Sequence, residues 1–291
     1  MEYFVVQLLN GLAMGGLYAL ISVGYNMVYG ILELINFAHG DVYMFGTFIA
    51  MALYWWGVPL PIAALLACTI GGLIGLIIER VAYRPVRNAP RVVPTISAVG
   101  AALVLRNIAL RVWGGGSYSF PQVLPTTDIT LGKITFNSLQ LIVLVLALLL
   151  MFGFIFLSER TKLGKAMRCV AQDIPAASLV GIPVNRIIQL VYFLGAFIGI
   201  AGGILFSMYY NVVWIGMGFL GTLKAWIAAI IGGIGSMYGS FVGGMMLGLV
   251  EAFATGYISS AYRDAFSFGL LMIILVVKPR GILGRQVSER A

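Results

Sequence analysis

Apolar runs of roughly 20 residues, parted by short polar or basic breaks, fill most of the chain from residue 4 to residue 277. Residues 4–29 predict a first membrane helix, with Gly11, Gly15, Gly16 and Gly24 spaced for close contact with neighbours. A polar cluster, Leu34-Ile35-Asn36-Phe37-Ala38-His39-Gly40-Asp41, then interrupts the pattern with too few residues for an ordinary loop. The apolar pattern resumes at 42–56 and ends in Trp55-Trp56, as aromatic residues do at a membrane interface. Gly57-Val58-Pro59 turns the chain into a span at 60–78. Further spans are predicted at 95–113, 137–157, 187–211, 219–234, 239–257 and 265–277. The segment 114–136, rich in Gly, Pro, Thr and Ser with Asp128 and Lys133 cancelling, reads as an external loop of short turns.

The polar breaks fix the expected orientation. Arg80, Arg84, Arg87 and Arg91 fall in 79–94, and Arg160, Lys162, Lys165, Arg168 and Arg186 outweigh Glu159 and Asp173 in 158–186. Such excess of Lys and Arg marks cytoplasmic loops, and the tail from Lys278-Pro279-Arg280-Gly281 to Arg285 follows the same rule. Three spans before 79–94 place the N-terminus outside. If 219–234 crosses, nine spans bring the C-terminus inside; if it only dips in and returns, the count is eight. The expected fold is all-α: a polytopic integral membrane helical bundle of about eight or nine spans, with one or more broken or re-entrant helices. Residues 1–291 read as a single transmembrane domain with the 158–186 loop inside it.

Composition agrees with this class. Of 291 residues, 61% are hydrophobic and 10% charged, with mean hydropathy +1.01, against about 25% charged in soluble domains. The net charge of +8 is accounted for by the cytoplasmic loops and implies no nucleic-acid partner. Cys68 and Cys169 fall in a span and in the 158–186 loop, which implies neither a disulfide nor a metal site. Met1-Glu2-Tyr3 lacks a basic leader region, so the first span is expected to be retained. No nucleophile–base pair presents itself, and no G-x-x-x-x-G-K-[S/T] stretch occurs, so no catalytic residue and no phosphate loop for ATP are expected in this chain.

Three groups of residues carry candidate function. Asn36, His39, Gly40 and Asp41 either cap helix ends at the cytoplasmic interface or line a substrate path or gate, because ionisable residues inside a membrane are costly. One histidine and one aspartate are too few for a metal. Shifting the sequence by 193 sets Gly40, Gly46 and Phe48 on Gly233, Gly239 and Phe241; shifting by 187 sets Gly15-Gly16 on Gly202-Gly203. A repeat of that kind would place Gly233 opposite the polar break, as in transporters with paired interrupted helices. Lys224 and Glu251 also lie in apolar stretches: Lys224 can snorkel from a span end or pair with the deeper Glu251, whereas Glu33 and Glu79 are expected at interfaces. Lastly, the 158–186 loop contains a short helix with clear punctuation. Asp173 can cap it, Pro175 suits its first turn, Gly181 can end it in a left-handed conformation, and Pro183 bars continuation. Its surface of Ile174, Ala176, Ala177, Leu179 and Val180 suits either the bilayer surface or a cleft in a cytoplasmic partner.

Ala176-Ala177, three residues, then Gly181 resembles the E-A-A-x-x-x-G coupling loop of ABC importer permeases. Gly164-Lys165-Ala166-Met167-Arg168, Ala171-Gln172-Asp173 and Gly181-Ile182 are similar to the branched-chain amino acid permeases of LivH type, as is Asn36-Phe37-Ala38-His39-Gly40-Asp41. Pro175 departs from the pattern, standing where the family usually has Glu. The resemblance implies a multi-pass permease of the bacterial inner membrane, coupled through Asp173, Ala176, Ala177 and Gly181 to two cytoplasmic ATPase subunits that carry the ATP and Mg. It further implies a second, related permease chain, a periplasmic substrate-binding protein, and leucine, isoleucine or valine as cargo. Relatives of similar sequence move urea or short-chain amides. An autonomous channel or ion-coupled carrier is the competing class, and the missing nucleotide site together with the coupling pattern favours the importer.

Overall fold

A computed structural model describes residues 2–124, 126–131 and 134–284. Met1, Lys133 and Arg285, used in the reading above, lie outside them. The described residues form eleven α-helices: α1 (Glu2–Leu32), α2 (Ala38–Trp55), α3 (Leu60–Ile78), α4 (Val92–Trp113), α5 (Ser138–Arg160), α6 (Lys162–Gln172), α7 (Ile174–Leu179), α8 (Val184–Tyr210), α9 (Met217–Gly232), α10 (Met237–Tyr257) and α11 (Arg263–Val277). A π-helical turn, Glu79–Tyr83, prolongs α3. Seven helical stretches among the described residues are long and apolar enough to cross a membrane. Two further helices accompany them: α2, of 18 residues, and the shorter α9, whose 16 residues rise about 24 Å. The chain is a polytopic helical membrane protein.

The bundle has two distinct ends. At one, Arg91 pairs with Glu33 at 3.0 Å, Tyr238 donates to Glu159 at 3.0 Å, and the amides of Ile282 and Leu283 donate to the carbonyls of Ile231 and Gly232. Segments 79–94 and 158–186 and the described part of the tail therefore converge, as a shared cytoplasmic face requires. At the other, Trp55 packs edge-on to Tyr118, Tyr118 bridges to Val213, and Tyr3 donates to the Gly256 carbonyl. Segment 213–232 runs from one end to the other instead of dipping and returning, with α9, whose first turn touches the start of α2, as its inner part.

Helix α1 is the central strut, lying along α10, α8, α5 and α9. Small residues set its closest crossing. A methyl group added at Gly248 would come 2.2 Å from the Gly15 amide nitrogen, and one at Gly244 would come 2.4 Å from that of Ala19. Backbones at this separation exclude any side chain, so packing contact along the seam replaces the hydrophobic driving force that lipid removes. The glycine shifts pair α1 with α8 and α2 with α10; in the fold α1 lies along α10 while α8 lies along α2.

Two expectations are corrected. The polar break is shorter than 34–41, because α2 begins at Ala38 and takes in His39, Gly40 and Asp41. The 114–136 segment is more than turns: Asp128–Leu131 (β1) and Ile134–Asn137 (β2) pair antiparallel, Ile129 opposite Phe136 and Thr130 opposite Thr135. Their β-branched content is the reason.

Candidate functional site

The α1–α2 break returns the chain into the bundle. Helix α1 stops at Leu32, Glu33 takes φ +53°, and residues 33–36 leave the helical path. Asn36 restarts it: its Oδ1 accepts the Ala38 amide at 3.1 Å and the Tyr83 hydroxyl at 3.1 Å. Capping thus belongs to Asn36 alone. His39 is 2% exposed and sits midway along α8, where a methyl group added at Gly199 would meet its ring at 2.9 Å. It packs edge-on to Tyr25, and its Nε2, without a hydrogen-bond partner, lines a small void with Asn36, Val42 and Tyr192. Gly40 lets α2 and α9 touch, since a Cβ there would lie 1.9 Å from the Gly218 carbonyl oxygen. Helix α2 therefore starts within the thickness of the bundle, and the polar cluster is not an interfacial turn.

Gly233 is not part of this group. It ends α9 with φ +115° and is packed by Leu283 and Gly284 of the tail, while His39 lies among Gly24, Tyr25 and Gly199. The shift that aligned Gly40 with Gly233 does not bring the two together.

Asp41 has a partner that the sequence reading passed over. Arg106 of α4 makes a fork on it, Nε to Oδ1 and Nη2 to Oδ2, both at 3.1 Å. The Asp41 side chain is 2% exposed and that of Arg106 30%. An arginine seven residues before the end of the apolar run 95–113, deeper in it than Arg111, was the available signal.

A second buried polar cluster lies nearer the end that carries Tyr3 and Gly256. Lys224 does not snorkel. Its Nζ bonds Glu251, which is wholly buried, as well as Asp264 at 2.7 Å and Ser267 at 2.9 Å. Tyr18 donates to Glu251 Oε2 at 2.7 Å, and Arg263 Nε approaches the same oxygen at 3.6 Å. Two acids and two bases balance here, and four helices are tied together by them. Glu79, expected at an interface, opens the π-helical turn that leads into 79–94 and is 1% exposed.

The 158–186 segment holds two helices. Thr161 caps α6 by accepting the Gly164 amide at 3.1 Å, and Arg168 braces it against the Ser158 carbonyl. Asp173 caps α7 by accepting the Ala176 amide at 3.0 Å, Pro175 lies in the first turn, and Gly181 follows with φ +81°. Ala177 is a correction to the expected partner surface: at 3% exposed it packs inside this chain. The outward face is instead Ile174, Ala176, Leu179 and Val180, with Leu179 88% exposed. Six residues in α7 allow one inward position per turn, and hydrophobic periodicity alone did not identify which.

Among the described residues, no three His, Cys, Asp or Glu side chains approach closely enough to hold a metal ion.

The family described as the branched-chain amino acid transport system permease component matches residues 7–275. The chain belongs to this family. Like it across nearly their whole lengths are two curated permeases: the high-affinity branched-chain amino acid transport system permease protein BraD of Pseudomonas aeruginosa is 40% identical, covering 99% of this chain and 98% of its own. The corresponding LivH of Escherichia coli K12 is 37% identical with the same coverage. A probable LivH of Methanocaldococcus jannaschii is 27% identical over 92% of this chain and 89% of its own. Among solved structures, PsaBC from Streptococcus pneumoniae in complex with Fab superposes with a TM-score of 0.51, covering 96% of this chain and 93% of that one at 12% identity, a likeness of fold alone. The family accounts for the permease architecture and gives no support to an autonomous channel or an amide carrier.

Proposed function

We propose that this permease is the membrane-spanning subunit of an ATP-driven importer that moves leucine, isoleucine and valine across the bacterial inner membrane. The observation that carries the reading is the end-to-end 40% identity with a permease named for high-affinity branched-chain amino acid transport. A second, related permease chain completes the pathway, two ATPase subunits bind ATP and Mg²⁺ on the cytoplasmic side, and a periplasmic protein delivers the cargo. The end that carries the basic loops is the cytoplasmic end. There the exposed residues of α7, standing between Asp173 and Gly181, meet the ATPase; Ala176 lies in the contact, and Ala177 supports it from within. Residues 36–41 start α2 inside the bundle and contribute to the solute path.

Cargo is tested by competition. The complete importer, reconstituted with its binding protein, should take up labelled leucine, with isoleucine and valine competing and with tenfold excess urea or acetamide changing uptake by less than about a tenth. Strong competition by urea or acetamide, without leucine uptake, would replace the proposed cargo with amides.

A further inference from the structure

We infer that the cytoplasmic end of α3 holds an anionic phospholipid, with its phosphate on Arg80 and Arg84 and an acyl chain along the outer face of the helix. The face follows from spacing. Ile70, Leu73, Ile77 and Val81 recur at intervals of three and four and are 39%, 50%, 60% and 70% exposed. The buried side of α3 packs on α2 and α8. From Ile70 to Val81 the helix rises about 16 Å, close to half of a hydrocarbon core about 30 Å thick. The stripe is as long as one leaflet is deep.

Its basic end is built by the π-helical turn. The Arg84 amide donates to the Glu79 carbonyl at 2.7 Å, and the wide turn leaves Arg80, Val81 and Arg84 all exposed. Glu79 is turned inward. Its carboxyl feels the charges of Arg84, Arg87 and Arg80, so the three guanidinium groups gather about one point. Among the described residues none of the three makes an ion pair, and Arg87 keeps a buried Nη1 with no hydrogen-bond partner. Arg91, the fourth arginine of the segment, is taken by Glu33. Three positive charges around one enclosed carboxylate leave an unanswered excess beside the stripe, and guanidinium offers a phosphate paired donors.

A phospholipid meets both demands in one molecule. A soluble ATPase subunit does not enter the bilayer and so cannot cover the stripe. A neighbouring permease covering it would enclose Arg80 and Arg84 as well, at the cost of burying unpaired charge. A phosphate brings its own negative charge and stays in the hydrated headgroup layer, where each arginine gains roughly fivefold in binding from an anionic lipid.

The test uses the full chain purified in detergent, first alone and then assembled with its partner subunits, and compares phosphatidylglycerol with phosphatidylcholine of the same acyl chains. Native mass spectrometry is expected to show phosphatidylglycerol retained about tenfold more strongly. Arg80→Gln/Arg84→Gln should bring that ratio close to one. Arg160→Gln/Arg186→Gln, which removes as much charge from exposed positions elsewhere at the same end, should change it by less than about twofold. Without lipid, the Arg80→Gln/Arg84→Gln variant should melt at the parent's midpoint, and added phosphatidylglycerol should raise the midpoint of the parent alone. Equal loss of preference in both variants overturns the site and leaves only diffuse charge. A lower midpoint of the Arg80→Gln/Arg84→Gln variant without lipid overturns it by placing the arginines in the fold. If the difference between parent and that variant vanishes once the partner subunits assemble, the face is a subunit contact and the lipid site falls.

Discussion

Glu251→Ala is expected to cost about 3–5 kcal/mol of stability, because it strands the Lys224 ammonium in a wall of the bundle with one partner fewer. Glu251 has no exposed side-chain surface, and the Lys224 side chain is 11% exposed. Water cannot take over what the carboxylate supplied, and the Tyr18 hydroxyl loses its acceptor in the same step. The remaining charges, Lys224 and Arg263 against Asp264, leave one excess positive charge among α9, α10 and α11. Removing the ammonium too restores the balance, so Lys224→Met/Glu251→Leu should recover most of the loss. The check is the amount of folded chain in detergent extracts and its thermal midpoint by fluorescence-detected size exclusion. A single variant as stable as the parent, or a double variant worse than either single, would remove the balanced-cluster account.

The docking helix gives the second large effect. Leu179 is 88% exposed, so an acidic side chain there meets only solvent in the isolated chain and should leave folding unaltered. If the same leucine is buried against an ATPase subunit, Leu179→Asp forfeits about 1.5–3 kcal/mol of apolar burial, a factor of roughly ten to a hundred in association. Substrate-stimulated ATP hydrolysis and leucine uptake should fall together. Ala177→Trp belongs to a different category: the residue lies inside the chain at 3% exposed, and bulk there should lower the yield of folded permease before coupling is reached. Gly181→Val should be milder than either, since nothing lies within 4 Å of a Cβ at that position and only the left-handed backbone, about 1 kcal/mol, opposes it. Leu179→Asp with normal uptake would place the ATPase contact elsewhere.

The reach of sequence reasoning is seen in these same residues. Helix α7 was legible because capping is local: Asp173, Pro175 and Gly181 each act on backbone within a few positions, and each does so in the fold. The spans were legible because lipid demands continuous apolar helix. What lay hidden was long-range. Ala177 faces inward and Leu179 outward because of what α6 and α8 place beneath α7, which a six-residue pattern cannot encode. Asp41 and Arg106 are 65 positions apart, and Lys224 finds Asp264 across 40, so their pairing follows from helix neighbours rather than from spacing. The repeat shift failed for Gly233 for a related reason. Matching glycines mark close approach, but the tail from Gly281 to Gly284 occupies the contact there.

The most direct test of the importer reading compares two sets of proteoliposomes, one holding this permease alone and the other holding it with its related permease and both ATPase subunits, each supplied with binding protein, labelled leucine, and ATP with Mg²⁺ on the cytoplasmic side. The account predicts ATP-dependent leucine accumulation in the complete set only, with neither uptake nor ATP hydrolysis by the lone chain even under a proton or sodium gradient. Gradient-driven accumulation by the lone chain would contradict it.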